Sequence, residues 1–365
     1  MSRFVRLCEI SSPTGDEAAV VAAVKSELES FGLEVSEDDA AGPARAGAGN
    51  LLLRIEGEKP GFVLFCAHLD TVPHDGPIEV VLDGEGVYRS KGATILGADN
   101  KAAVAVLMEL ASRYSGKKPP VGIEILLTVA EEQGLRGAAA FDVSKLEAKA
   151  GFVLDHATDI GEVITASPSH HQIRAEFTGV EAHSGLDPEG GRSAIVTAAT
   201  AISEMKLGRI DEETTANIGL IEGGSSGNII PGSCRIAGEA RSIDPDRVTE
   251  VIAAMSDSMV WAASEHGCEV DIVTEEVFRG YRTPDDSPAL IVAEEALRAR
   301  GHEPKRVATG GGSDANVFMA AGIDTLLLAN GTYENHTHDE SVPRDNLQEM
   351  LEICEEILVA AAARC

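Results

Sequence analysis

Phe62-Val63-Leu64-Phe65-Cys66-Ala67-His68-Leu69-Asp70 is an apolar run that ends on an imidazole and a carboxylate. Such a run reads as a strand buried on both faces, the kind that parallel sheets contain. Gly122 to Ala130 and Gly151 to Leu154 read the same way, and Lys101 to Tyr114 reads as a helix between the first two strands, which is α/β patterning. Metal-type side chains follow these runs at His68-Leu69-Asp70, Glu131-Glu132 and Asp155, and His336 follows Thr325-Leu326-Leu327-Leu328 by a short loop. Open α/β sheets bind their ligands beyond the carboxyl ends of strands, so these segments are expected to converge. Asp99, in Asp99-Asn100-Lys101, precedes the helix, where exposed N–H groups and the helix dipole favour a carboxylate.

Upstream, Ser12-Pro13-Thr14-Gly15-Asp16-Glu17 leads into a helical pattern with Val20, Val21, Val24, Leu28 and Phe31 on one face, closed by Gly32. Near Ser167 the rhythm changes to strand (171–178), helix (192–205), strand (215–221), strand (233–240), helix (245–266) and strand (269–275), a split βαββαβ unit of ferredoxin-like order. The α/β pattern resumes near Arg279, with a helix over 288–300, strands over 305–308 and 324–328, and a last helix over 346–362. Residues 167–278 are therefore expected to form a domain inserted into a first domain of residues 1–166 and 279–365.

At 365 residues the chain has the length of two domains. Hydrophobic residues at 44% supply ample core, and aromatics at 4% make that core aliphatic. Sixty acidic against 30 basic side chains give a formal charge of −30, which repels nucleic-acid phosphates and anionic membrane surfaces, so neither is expected as a partner. The six cysteines are scattered without CxxC spacing, which argues for reduced thiols. With no apolar stretch of signal-peptide or membrane-span length, the sequence implies a soluble cytoplasmic protein.

Each segment alone has an ordinary explanation. In so acidic a chain Glu-Glu pairs are common, as at Glu212-Glu213, Glu275-Glu276, Glu294-Glu295 and Glu355-Glu356. A histidine after a strand or an acid before a helix is more often structural than catalytic. The joint pattern alters that judgement: two histidines and several carboxylates gathered in one pocket are what a pair of divalent cations needs.

In Phe65-Cys66-Ala67-His68-Leu69-Asp70-Thr71-Val72-Pro73, Gly97-Ala98-Asp99-Asn100-Lys101-Ala102-Ala103 and Ala130-Glu131-Glu132-Gln133-Gly134-Leu135-Arg136-Gly137, the chain resembles the dinuclear zinc peptidases of the aminoacylase, carboxypeptidase G and peptidase T superfamily. Later segments agree in order: Val153-Leu154-Asp155, Gly179 to Gly185, Gly223 to Pro231, Gly310 to Asp314, and His336 to Glu340. The Ala-Asp-Asn-Lys form around Asp99 is most similar to the peptidase T branch of tripeptide aminopeptidases. The resemblance implies a catalytic domain with a mixed sheet flanked by helices, and an inserted domain that serves as lid and homodimer contact. It also implies a cis peptide at Asp99-Asn100.

Carried over residue by residue, the resemblance makes Asp99 a bridging carboxylate, His68 and Asp155 the other ligands of one ion, and Glu132 and His336 those of a second, with zinc expected and cobalt or manganese also suited. His338 could also reach the second ion; His336 is preferred because the family ligand stands four residues before a glutamate, here Glu340. Glu131 becomes the general base, with extended chain turning it away from Glu132. Asp70 becomes the residue that orients His68, and His183 the oxyanion stabiliser, reaching across a dimer. Arg241 would hold the substrate carboxylate, Asn228 would hydrogen-bond the substrate, and the segment containing Gly311 would line its site; Gly310 to Asp314 lacks the Gly-Lys-Ser/Thr ending of a phosphate loop.

The activity implied is metal-dependent removal of the N-terminal residue from short peptides, tripeptides in particular. An N-acyl-amino-acid deacylase, carboxypeptidase or dipeptidase with the same metal site is the alternative, because one fold hosts all of them. A non-catalytic metal- or peptide-binding protein is a third reading, opposed by Glu131, since a binding site needs ligands but no base.

Overall fold

A computed structural model describes residues 2–365, which form two compact units, one of residues 2–166, 282–309 and 313–365, the other of 167–281 with 310–312. The first holds a mixed sheet in the order Val35–Glu37, Leu51–Ile55, Val121–Thr128, Lys59–His68, Ala150–His156, Asp324–Ala329, Glu162–Ser167. Lys59–His68 runs parallel to both Val121–Thr128 and Ala150–His156, and Asp324–Ala329 parallel to Ala150–His156. Leu51–Ile55 and Glu162–Ser167 are antiparallel to their neighbours in that run.

The parallel strands are buried on both faces, which explains their apolar runs: every residue of Val121–Thr128 is buried, as are Val63 to His68. Between them lies the helix Ala98–Arg113, packed all round through Ala102, Val104, Leu107 and Leu110, with Val20, Val21, Val24 and Leu28 in the same core. Its first turn is irregular: Asp99 and Asn100 have non-helical backbone angles, so regular helix begins at Lys101. The register sets His68 opposite Thr128 and Leu328 opposite Leu154, so the residues that follow all leave the sheet at its carboxyl end.

The second unit is an antiparallel sheet in the order Gly208–Arg209, Thr214–Gly223, Ser233–Ser242, Ser169–Thr178, Glu269–Phe278, with the helices Ala194–Glu204 and Pro245–His266. Omitting the short first strand, this is the ferredoxin-like order. Ile173, Ala175, Phe177, Cys234 and Ile236 pack with Ala198, Val248, Ile252 and Met259 into its own core.

The expected strand over Gly122–Ala130 ends two residues early, at Thr128. Ala130 takes a left-handed φ of 51°, and the N–H groups of Gly134 and Leu135 donate to the Glu131 carbonyl at 3.0 and 2.8 Å. A turn, not extended chain, therefore separates Glu131 from Glu132. Gly137 lets the turn close: a Cβ there would lie 1.9 Å from the Val129 carbonyl oxygen. Gly137→Ala is expected to destabilise the fold by about 1–3 kcal/mol, read as a lower denaturant midpoint.

Candidate metal centre

Asp99 lies between two imidazoles. Its Oδ1 is 3.1 Å from His68 Nε2, and its Oδ2 is 3.1 Å from His336 Nε2. Each imidazole meets a further carboxylate, His68 Nε2 at 3.4 Å from Asp155 Oδ1 and His336 Nε2 at 3.1 Å from Glu132 Oε1. Glu131 joins the first group, its carboxylate within 4.8 Å of the ligand atoms of His68 and Asp155. The close clusters that can be drawn within this distance pair His68 with Asp99 and Glu132 but omit His336; its two 3.1 Å contacts nevertheless put it in the same site.

The surroundings hold these donors in place. The Asp70 carboxylate accepts from the main-chain N–H groups of Glu131 and Glu132 at 3.0 and 3.2 Å and from the Thr14 hydroxyl at 2.7 Å. His68 Nδ1 faces the Asp70 main-chain oxygen at 3.0 Å, with Asp70 Oδ1 at 3.5 Å. Asp70 thus fixes the loop of both glutamates as well as the face of the histidine. Asn100 Nδ2 donates to Asp155 Oδ1, and the Asp99–Asn100 peptide is cis. His336 has a left-handed φ of 64°, an arrangement that costs a side-chain-bearing residue about 1–3 kcal/mol. His338 is exposed and lines a cleft of about 300 Å³ with Pro73, His74, Asp75, Thr94, Ile95 and His336.

Glu340 was visible in the sequence only as a spacing mark. It is 1% exposed, and its carboxylate accepts from the N–H groups of Leu96 (2.7 Å), Gly97 (2.8 Å) and Asp99 (2.9 Å). It pins the loop that presents Asp99. A signal was available in principle: this acid directly precedes the short strand Ser341–Pro343.

The electrostatics show what the donor set needs. Burial pushes the Glu131 carboxyl well above the usual carboxylate range, with Asp155, Asp314 and Glu132 adding to the rise against the pull of His68. Burial likewise carries Asp155 up to about 7. For Asp99, burial pushes upward too, but hydrogen bonds from His336 and His68 outweigh it and hold the group well below the ordinary range. His336 is raised to about 10 by its bonds to Asp99 and Glu132, and His68 is raised by Asp155, Asp70 and Asp99 despite its burial. Acids outnumber bases in a water-poor site, and the imidazoles compensate by holding protons. Divalent cations would supply that positive charge through the same atoms, so the residues fit a metal pair.

The other candidates lie on the second unit. His183 is exposed on the short strand Ala182–His183, and the Gly185 N–H donates to its Nδ1 at 3.2 Å. Asn228 Oδ1 accepts from the Ser226 hydroxyl at 2.7 Å. Arg241 donates to both oxygens of Glu239 at 3.1 and 3.2 Å and to the Gly310 carbonyl at 3.4 Å, while the Gly311 carbonyl accepts from Ser167 Oγ at 2.9 Å.

The model of peptidase family M20/M25/M40 matches residues 64–360. The uncharacterized protein YqjE of Bacillus subtilis strain 168 is 37% identical over 364 residues, covering 99% of this chain and 98% of its own. Among solved structures, aminopeptidase PepT from Bacillus cereus superposes with a TM-score of 0.90 at 37% identity, covering 99% of this chain and 97% of its own. A tripeptidase from Staphylococcus aureus superposes at 0.94 with 34% identity, covering 100% and 98%.

Glu340→Gln replaces an acceptor of three N–H bonds with a group whose amide nitrogen cannot accept. It is expected to raise the zinc dissociation constant, read by chelator competition, about 10–100-fold with an unchanged circular dichroism spectrum.

Proposed function

The chain belongs to peptidase family M20/M25/M40, and we propose that it removes the N-terminal residue from short peptides, tripeptides in particular, with the help of two zinc ions. The observation that carries the hydrolytic part is the Asp99 carboxylate shared between His68 and His336, with Glu131 beside it. The substrate class is supported by the near-complete match to an aminopeptidase and to a tripeptidase.

In this reading His68, Asp99 and Asp155 hold one ion, and His336, Asp99 and Glu132 the other. When bound, such a pair polarises the scissile carbonyl and acidifies an attacking water. Glu131 takes the proton of that water as its oxygen bonds to the carbonyl carbon, then delivers it to the amide nitrogen as the C–N bond breaks. Its raised affinity for protons, the effect of burial, suits a base that must release the same proton to a leaving amine. Asp70 keeps Glu131 and Glu132 aimed by holding both main-chain N–H groups.

His183 donates to the oxyanion. With Nδ1 accepting from Gly185, the neutral ring carries its proton on Nε2, the nitrogen left to donate. Arg241, steadied by Glu239, binds the peptide carboxylate, and Asn228 and the Gly311 segment line the substrate site. A cytoplasmic location is supported by six unpaired cysteines; no described helix is long and apolar enough to cross a membrane.

A homodimer through the second unit is supported by an exposed apolar edge. Gly208–Arg209 covers only Thr215 and Ala216 of its neighbouring strand, and further along that strand Leu220 and Ile221 are 45% and 49% exposed. Open apolar edges of this kind invite pairing with another chain, and a two-fold axis would close the contact. Light scattering is expected to give about twice 38.2 kDa, falling to the single mass when Leu220 and Ile221 are both changed to Asp. A single mass for the unaltered protein would contradict the proposed dimer.

Glu131→Gln should keep both metal ions while turnover falls about 10²–10⁴-fold. The substrate class is tested by giving the metal-loaded protein a mixture of free dipeptides, tripeptides, N-acetylated peptides and N-acyl amino acids, and reading the products by mass spectrometry. Release of N-terminal residues from free tripeptides is expected; cleavage confined to acylated substrates would overturn the proposal in favour of a deacylase.

A further inference from the structure

Asp314 is a buried acid that the proposed mechanism does not use. It follows Ser313, whose hydroxyl accepts from the Ala315 N–H and caps the short helix Asp314–Ala320, and it is 1% exposed. Its Oδ2 accepts from the Thr128 hydroxyl at 2.5 Å and lies 3.7 Å from the Cys66 thiol, while Oδ1 has no hydrogen-bond partner. No ion pair to Asp314 is found among the described residues. Burial pushes the group up to about 6, and cations bound nearby would draw it toward the ionised form. A buried carboxylate hydrogen-bonded only by a hydroxyl and a thiol, with the His68 imidazole as its nearby attractive charge, is costly to the fold.

Its place explains what it could do. Thr128 is the register partner of His68 on the neighbouring parallel strand, so the two side chains leave the sheet on the same face, and Cys66 lies two residues before His68 on that face. Thr128 also ends the strand whose next turn carries Glu131 and Glu132. One carboxylate therefore touches Thr128 at the end of one strand and Cys66 near the end of another, two of the strands that lead into the metal centre.

We propose that Asp314 is a positioning residue: through Thr128 and Cys66 it fixes the strand ends carrying His68 and Glu131, and its buried charge strengthens cation binding at the cost of stability in the metal-free protein. The inference rests on the proposed metal site. A purely structural acid would be stabilising in the metal-free protein, whereas this one is destabilising there and useful only once cations bind.

Asp314→Asn keeps the size and an acceptor but removes the charge. Its zinc dissociation constant, by chelator competition, is expected to rise about tenfold, while the melting temperature of the metal-free variant is unchanged or higher. Thr128→Val, which removes the hydroxyl, is expected to lower kcat about tenfold with KM for a tripeptide changed less than threefold. Combining the two should cost less than the product of the single losses. Unchanged zinc affinity in Asp314→Asn, or a metal-free melting temperature that falls with the affinity, would overturn the proposal. So would Thr128→Val with unaltered kcat. If the unaltered protein binds no metal pair, the metal-site reading fails first, and the affinity of the parent distinguishes that outcome.

Discussion

Asp99 offers one carboxylate oxygen to His68 and the other to His336, each at 3.1 Å, and the first unit is built to keep it in that position. The core helix behind Asp99 is packed on all sides, Glu340 ties down the loop before it, and Asn100 reaches across to Asp155. A carboxylate held this rigidly between two ligand pairs needs little reorganisation to serve two cations. The accumulated negative charge around it, offset by protonated imidazoles, favours the entry of cations.

That requirement links the fold to the chemistry. Parallel strands deliver His68, Asp155 and the loop of Glu131 and Glu132 to one end of the sheet, and Asp324–Ala329 delivers the chain toward His336. The same burial that makes these acids eager for cations raises the proton affinity of Glu131, the carboxylate proposed to carry a proton from water to the leaving amine. The two carboxylates differ through their surroundings, as their proposed roles of ligand and base require: Asp99 is held by two imidazoles, whereas Glu131 has mostly like charges near it.

Much of this could be read from the residues. Buried parallel strands announce themselves as apolar runs, and metal-type side chains directly after them are expected at the functional end of a sheet. The βαββαβ rhythm of the second unit was equally plain, because its alternating strands bury one face. Other features leave no local trace. Val129-Ala130 continues the apolar run, so nothing in its composition signals the left-handed residue that turns Glu131 away from Glu132. In a chain with 60 acidic residues, the burial of Glu340 and Asp314 depends on segments 186 to 248 residues away and is invisible until the fold brings them together. The antiparallel strand Leu51–Ile55 depends likewise on a distant partner, Val121–Thr128.

Anomalous diffraction from crystals grown with zinc is the sharpest check on Asp99 as the proposed bridge between two divalent ions. Two peaks about 3.5–4 Å apart are expected, both within coordination distance of Asp99, one also meeting His68 and Asp155 and the other Glu132 and His336. A single peak, or two that share no ligand at Asp99, would contradict it.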